Sequence, residues 1–235
     1  MDNLIQAESD IARAITEHYG ASTVPSKEPE SLSEKVYNSI LQRLVRGEIG
    51  PGDVLNRRQV AEDCGVSVAP VLEAMIQLEG EGILEIAPRR TTRVRTVRPD
   101  DLRDQLILRE ALECQAARLY CGEKIRTAKD ELTKLAELID NTKKTSSMEA
   151  WWAEVHFHGR LVSLSGSQAL FRHFNQIMRV GLFYALNIVL PRQSWDSNHS
   201  EFVRTLCSTD DAYFAEAITR EHIIRGREEL FGKQT

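Results

Sequence analysis

Glu154 and His158 stand four residues apart, a spacing that puts both side chains on one face of a helix. His199 and His222 follow in two later segments that also read as helices. Three imidazoles and one carboxylate suit a divalent transition metal such as Zn, Ni or Mn, with coordination positions left open. Histidines spread this widely along a chain are also commonly unrelated, so spacing alone leaves both a metal site and an ordinary set of histidines open. His156 would point away from His158 on the same helix, and His173 reads as a surface or core residue, so neither joins the set. Arg109, in LILREALE (106–113), has two readings: a bidentate partner for a small carboxylate, or a surface salt bridge with Glu113 four residues on. Trp151, Trp152, Phe171, Phe174 and Phe183 read as core or interface packing.

A metal with open positions can activate water, which would make an enzyme. No second carboxylate is placed as a general base, however, and no nucleophile motif occurs, so the chain is expected not to be an enzyme. The four cysteines form no CxxC pair and outline neither a disulfide framework nor a zinc finger. Cys114 and Cys121, seven apart, read as small buried residues on one helical face.

A second chemistry lies nearer the N-terminus. Residues 57–86, RRQVAEDCGVSVAPVLEAMIQLEGEGILEI, read as helix, tight turn, helix and strand, and PRRTTRVRTV (88–97) completes a two-stranded hairpin. That order places one helix in a DNA groove with a basic wing beside it. The net charge of −5 argues against a nonspecific nucleic-acid binder, but its distribution does not. Residues 31–98 carry 10 basic and 9 acidic side chains, the only segment with a positive balance, and 88–98 hold five arginines and no acid. The expected DNA contacts are Arg57, Arg58, Ser67, Arg89, Arg90, Arg93 and Arg95.

The elements that must carry these residues follow from capping and periodicity. Ser31 and Glu34 form a capping box ahead of a helix bearing Val36, Tyr37, Ile40, Leu41, Leu44 and Val45 on one face. Gly47 ends it, Gly65 turns the chain between two further helices, and Ser67 is placed to cap the second of these. Pro70 falls in that helix's first turn, where proline is tolerated. Strands are expected at 84–87 and 92–97. Pro99 disfavours helix at Arg98, so the linker lies there, and helices are expected near 100–121, 127–143, 148–164, 168–188, 194–208 and 211–231. The predicted fold is mainly α: an N-terminal extension (1–30), a winged helix-turn-helix domain (31–98) and an all-helical bundle (99–235). No apolar run is long enough to span a bilayer and the N-terminus is not signal-like, so a cytoplasmic protein without membrane contact is expected.

The stretch from Val36 to Val97 resembles the winged helix of GntR-type bacterial transcription regulators. The matching segments are GEIGPGDVL (47–55), RRQVAEDCGVS, APVLEAMIQLEGEGIL (69–84) and the arginine-bearing wing. The helical remainder resembles the FadR-like branch with an FCD-type domain. There the family's metal-binding kind shows an acid, a Phe-His pair, and two more histidines in the last two long helices. AEVHFHGRL supplies Glu154, Phe157 and His158, and NHSEFVRTLCSTDDAYFAEAITREH supplies His199 and His222. The resemblance implies a ligand-responsive regulator, a repressor, that binds double-stranded operator DNA as a homodimer. It also implies a small organic acid effector held through the metal with Arg109 near the pocket. A metal sensor is the alternative regulator. Three departures stand out: Val68 and Leu72 occupy positions where the family usually has arginine, Thr91 replaces the wing's usual glycine, and Glu154 replaces the usual aspartate.

Overall fold

The structure is a computed structural model describing residues 31–87, 91–142, 148–187 and 198–231. The N-terminal extension, the wing tip with Arg89 and Arg90, and the break at Pro191 lie outside the described residues. The chain divides into two compact units, one built on the residues up to Pro99 and one on those from Asp100 onward, except that residues 182–187 group with the first.

The first unit opens with α1 (Leu32–Val45). Its capping box forms: the Glu34 amide donates to Ser31 Oγ at 3.2 Å, and the Ser31 amide donates to Glu34 Oε2 at 2.8 Å. Strand β1 (Val54–Leu55) leads into α2 (Arg57–Cys64), whose first amides, from Arg58 and Gln59, donate to the Asn56 side chain. Gly65 ends α2 at φ 66°, a left-handed conformation that glycine adopts without strain. The chain then enters α3 (Val68–Gly80), with Pro70 harmless in its first turn. Ser67 holds the N-cap position, yet its hydroxyl makes no capping bond, against expectation.

Three helical faces meet in one core. Val36, Ile40 and Leu44 from α1, Val60 and Ala61 from α2, and Val71, Met75 and Leu78 from α3 are all buried. Tyr37 closes one side, donating its hydroxyl to Glu81 at 2.6 Å.

The wing differs from the expected two-stranded hairpin. Strands β2 (Leu84–Ala87) and β3 (Thr91–Val94) pair antiparallel, and β1 adds a third strand in the order β1-β3-β2. Strand β3 stops at Val94 rather than Val97. Only a two-residue stretch after the Pro51-Gly52 turn makes β1, too short for any periodicity to reveal.

From Pro99 on, the described elements are all helices: α4 (Pro99–Tyr120), α5 (Glu123–Thr127), α6 (Lys129–Thr142), α7 (Met148–Leu164), α8 (Gln168–Asn187), α9 (His199–Cys207) and α10 (Ala212–Phe231). The one-turn α5 was not expected. Gly122, at φ 92°, stops α4 and lets the chain restart at once. Helix α6 packs against both α7 and α9, which brings the middle and late histidines toward each other. Among the described residues no helix is long and apolar enough to cross a membrane.

Candidate functional site

Helices α7, α9 and α10 deliver His158, His199 and His222 to one place. A nitrogen from each ring lies within 4.8 Å of the others. The i,i+4 spacing on α7 sets Glu154 beside His158, so the four sequence-selected residues form one cluster, with Glu154, His158 and His199 buried and His222 partly so. Glu154 Oε2 stands 3.2 Å from His158 Nε2, and its Oε1 stands 3.0 Å from His199 Nε2. The fully buried Phe157 ring meets His158 and His199 edge-on, with ring centroids 5.1 and 5.2 Å apart. Phe202 stacks on His222 at 4.1 Å, nearly parallel. Phe157 and Phe202 thus pack against all three imidazoles.

Two of the rings, His158 and His199, each stand beside a carboxylate that the sequence did not assign to the site. Glu113, buried on α4, lies with Oε2 2.5 Å from His158 Nδ1. That contact puts the Nδ1 proton toward the carboxylate and leaves Nε2 as a lone-pair donor. Arg109 donates to the other Glu113 oxygen at 2.6 Å. Burial alone would raise the Glu113 carboxyl, but the contacts with His158 and Arg109 outweigh it and hold it at about 2. Arg109 therefore sits in the ion pair with Glu113 that its spacing allowed, although this pair is largely buried rather than on the surface.

Asp140 on α6 plays the matching part for His199. Its oxygens accept the His199 and Ser200 amides at 3.1 and 3.0 Å and the Ser200 hydroxyl at 2.7 Å, anchoring the first turn of α9. The Asp140 carboxylate also lies 3.5 Å from His199 Nδ1, a charge contact rather than a hydrogen bond at that length. Burial would lower His199, but the Glu154 and Asp140 charges override it and raise its pKa to about 9. Burial drives His222 well below its ordinary value, helped by the two neighbouring histidines. Glu154 is held well below the carboxylate range: burial opposes ionisation, and the His199 and His158 contacts overcome it.

The donor set fits a metal. His158 Nε2 and His199 Nε2 are buried without a hydrogen-bond partner, although each lies close to Glu154. Such unsatisfied nitrogens cost free energy unless something else meets them. Two donors each about 2.1 Å from a shared ion stand about 3.0 Å apart at a right angle and about 3.4 Å apart at a tetrahedral one. The observed 3.0 and 3.2 Å separations, close but not aligned for hydrogen bonding, match ligands gathered around a common centre. His156 and His173 are exposed and stand apart from the cluster.

The described residues of the set expected to contact DNA lie in the first unit. Arg58 is exposed at the head of α2. Arg57 turns to the wing, donating to Thr92 Oγ1 at 3.1 Å, and so braces β3 against α2. Arg93 lies 3.8 Å from Glu85 in a half-exposed pair on the paired strands, and Arg95 follows on the same stretch. Ser67 is exposed at the start of α3.

Comparison with known proteins matches two family models along the chain. The family described as bacterial regulatory proteins, gntR family, matches residues 32–94, and the FCD domain matches residues 104–225. The chain is 28% identical over 194 residues to the uncharacterized HTH-type transcriptional regulator YdhC of Bacillus subtilis (strain 168), spanning 79% of this chain and 75% of that protein. It is 30% identical over 89 residues to the HTH-type transcriptional repressor RspR of Escherichia coli (strain K12), spanning 38% of this chain and 39% of that one. Among solved structures, E. coli McbR/YncC shares the fold with a TM-score of 0.61 at 21% identity, over 86% of this chain and 97% of the other.

Proposed function

The chain belongs to the gntR family of bacterial transcription regulators and carries an FCD domain, and from that premise we propose that it is a metal-dependent, acid-responsive repressor. The observation that carries this reading is the convergence of Glu154, His158, His199 and His222, with two buried ring nitrogens lacking any other partner. These four residues would hold a divalent transition ion. Bound there, the ion supplies open coordination positions to a small carboxylate. Glu113 and Asp140 orient the rings, and the Phe157 and Phe202 rings keep competing water out. Arg109 is the nearby cation suited to a second carboxylate contact, at the cost of sharing its bond to Glu113.

The winged unit supplies the output. Arg57, Arg58, Ser67, Arg89, Arg90, Arg93 and Arg95 are assigned to operator DNA, chiefly to phosphate. A homodimer presents two such units to half-sites about 34 Å apart. An effector changes operator affinity only by binding the two states of that dimer unequally, so occupancy of the helical unit must favour one of them. No enzymatic step is assigned to the cluster, and the bacterial cytoplasm is its proposed location.

Operator binding by the full chain tests this, using duplexes enriched from a random-sequence library. The measurement is made in chelator, after metal is restored, and then across a panel of small carboxylates. The reading expects a carboxylate to shift DNA affinity only when metal is present, and His199→Ala to abolish the shift. Metal alone switching DNA binding, with no carboxylate effect, favours a metal sensor. A chain that binds no duplex contradicts both.

A further inference from the structure

Val68, Leu72 and Ile76 stand four apart on α3, and all three side chains are exposed, at 44%, 37% and 53%. They form an apolar stripe on the outer side of the helix, away from buried Val71, Met75 and Leu78. Helix α3 (VAPVLEAMIQLEG) carries no Lys, Arg or His, and Glu73 is the lone charge in its first two turns. Its one amide side chain, Gln77, donates to Glu81 at 3.3 Å.

That composition restricts what the helix can recognise. In the major groove guanine offers two acceptors, O6 and N7, which call for a cationic or amide donor that this stripe lacks. A phosphate would meet Glu73 and no positive partner. The apolar group that the major groove displays is the C5-methyl of thymine. The surroundings favour a polyanion over an apolar protein partner. Arg58 stands exposed at the start of α2, and Arg93 and Arg95 lie in the acid-free stretch from Thr91 to Arg98. The Arg93–Glu85 pair is half-exposed and long, so it exchanges readily for phosphate.

We propose that α3 reads thymine by its methyl group, with Val68 and Leu72 packing on C5-methyls in the major groove and Ile76 extending the contact, while the arginines of α2 and the wing hold the phosphates. The proposal rests on the DNA-binding reading above. Operator half-sites then carry T at the positions facing α3, and affinity depends on methyl groups rather than on donor-acceptor pairing.

The test uses the full chain and the duplex it enriches most from a random-sequence library. Each thymine of the half-sites is replaced by deoxyuridine, which removes the methyl and leaves base pairing intact. Burial of one methyl corresponds to about a fourfold change in affinity, so two contacts give about fifteenfold weaker binding to the deoxyuridine duplex. The double variant Val68→Ala, Leu72→Ala changes exposed residues only. It is expected to bind the thymine duplex more weakly and to lose the difference between the two duplexes. Arg93→Ala serves as the contrast, weakening both duplexes alike. Equal affinity of the natural chain for both duplexes, or a double variant that still discriminates, overturns the proposal and leaves the stripe facing a protein surface instead. Enrichment of no duplex at all is a different result, since it removes the DNA-binding reading and this proposal together.

Discussion

His158 Nδ1 lies 2.5 Å from Glu113 Oε2, and both residues are almost wholly withdrawn from water. A carboxylate in that place fixes the imidazole tautomer and ring plane, so that Nε2 faces Glu154 and the other histidines. Glu113→Gln keeps the side-chain volume but weakens the acceptor. Losses of this kind lower metal affinity by about 10- to 100-fold. Competition against a chromophoric chelator measures it, and an unchanged affinity would show that Glu113 serves Arg109 alone.

The raised pKa of His199 gives a pH dependence with a definite sign. Between its ordinary value of 6.5 and its folded value of about 9, His199 holds a proton that an incoming ion must displace. His222 is already neutral and Glu154 already ionised over this range, because both are held well below their ordinary values. Metal affinity should therefore rise with pH, by about tenfold per unit from about pH 7, and level off above about pH 9. A flat profile across that window would mean that His199 is not a ligand.

The phosphate contacts carry a salt signature. Each contact removed should make the slope of log affinity against log salt shallower by about 0.9. Arg58→Ala and Arg93→Ala are each expected to shift the slope by that amount without altering which duplex is preferred. A variant with the natural slope has lost no phosphate contact.

Two N-cap positions, one on each of two successive helices, separate stability from recognition. Asn56 accepts two amides at the start of α2, and Asn56→Ala should cost about 1 kcal/mol of folding stability. Ser67 makes no capping bond, so Ser67→Ala should leave the unfolding midpoint in place while weakening operator binding. A destabilised Ser67→Ala would reverse that assignment.

Much of the architecture was legible because local signals and tertiary structure agree. The Ser31–Glu34 box, the Gly65 turn and the buried stripe of α3 are all read from short-range rules. Glu154 and His158 were joined by helical spacing, and His199 and His222 by the likeness of their segments to a known family. Glu113 was not found as an orienting residue, because at four residues from Arg109 it reads as an ordinary surface pair. A signal did exist: Glu113 falls on the buried face of α4 with Leu106, Ala117 and Tyr120. A carboxylate on an apolar face needs a partner. Asp140 gave less, since it reaches His199 only through the packing of α6 on α9. The strand β1 and the one-turn α5 are too short to carry a period.

The most direct measurement is the metal content of the purified full chain by elemental analysis, beside that of His199→Ala and His222→Ala. We expect about one divalent transition ion per natural chain and a marked loss in both variants, with helical circular dichroism retained. A natural chain without stoichiometric metal after growth and dialysis in Zn, Ni or Mn, or variants that keep the ion in full, would contradict the account.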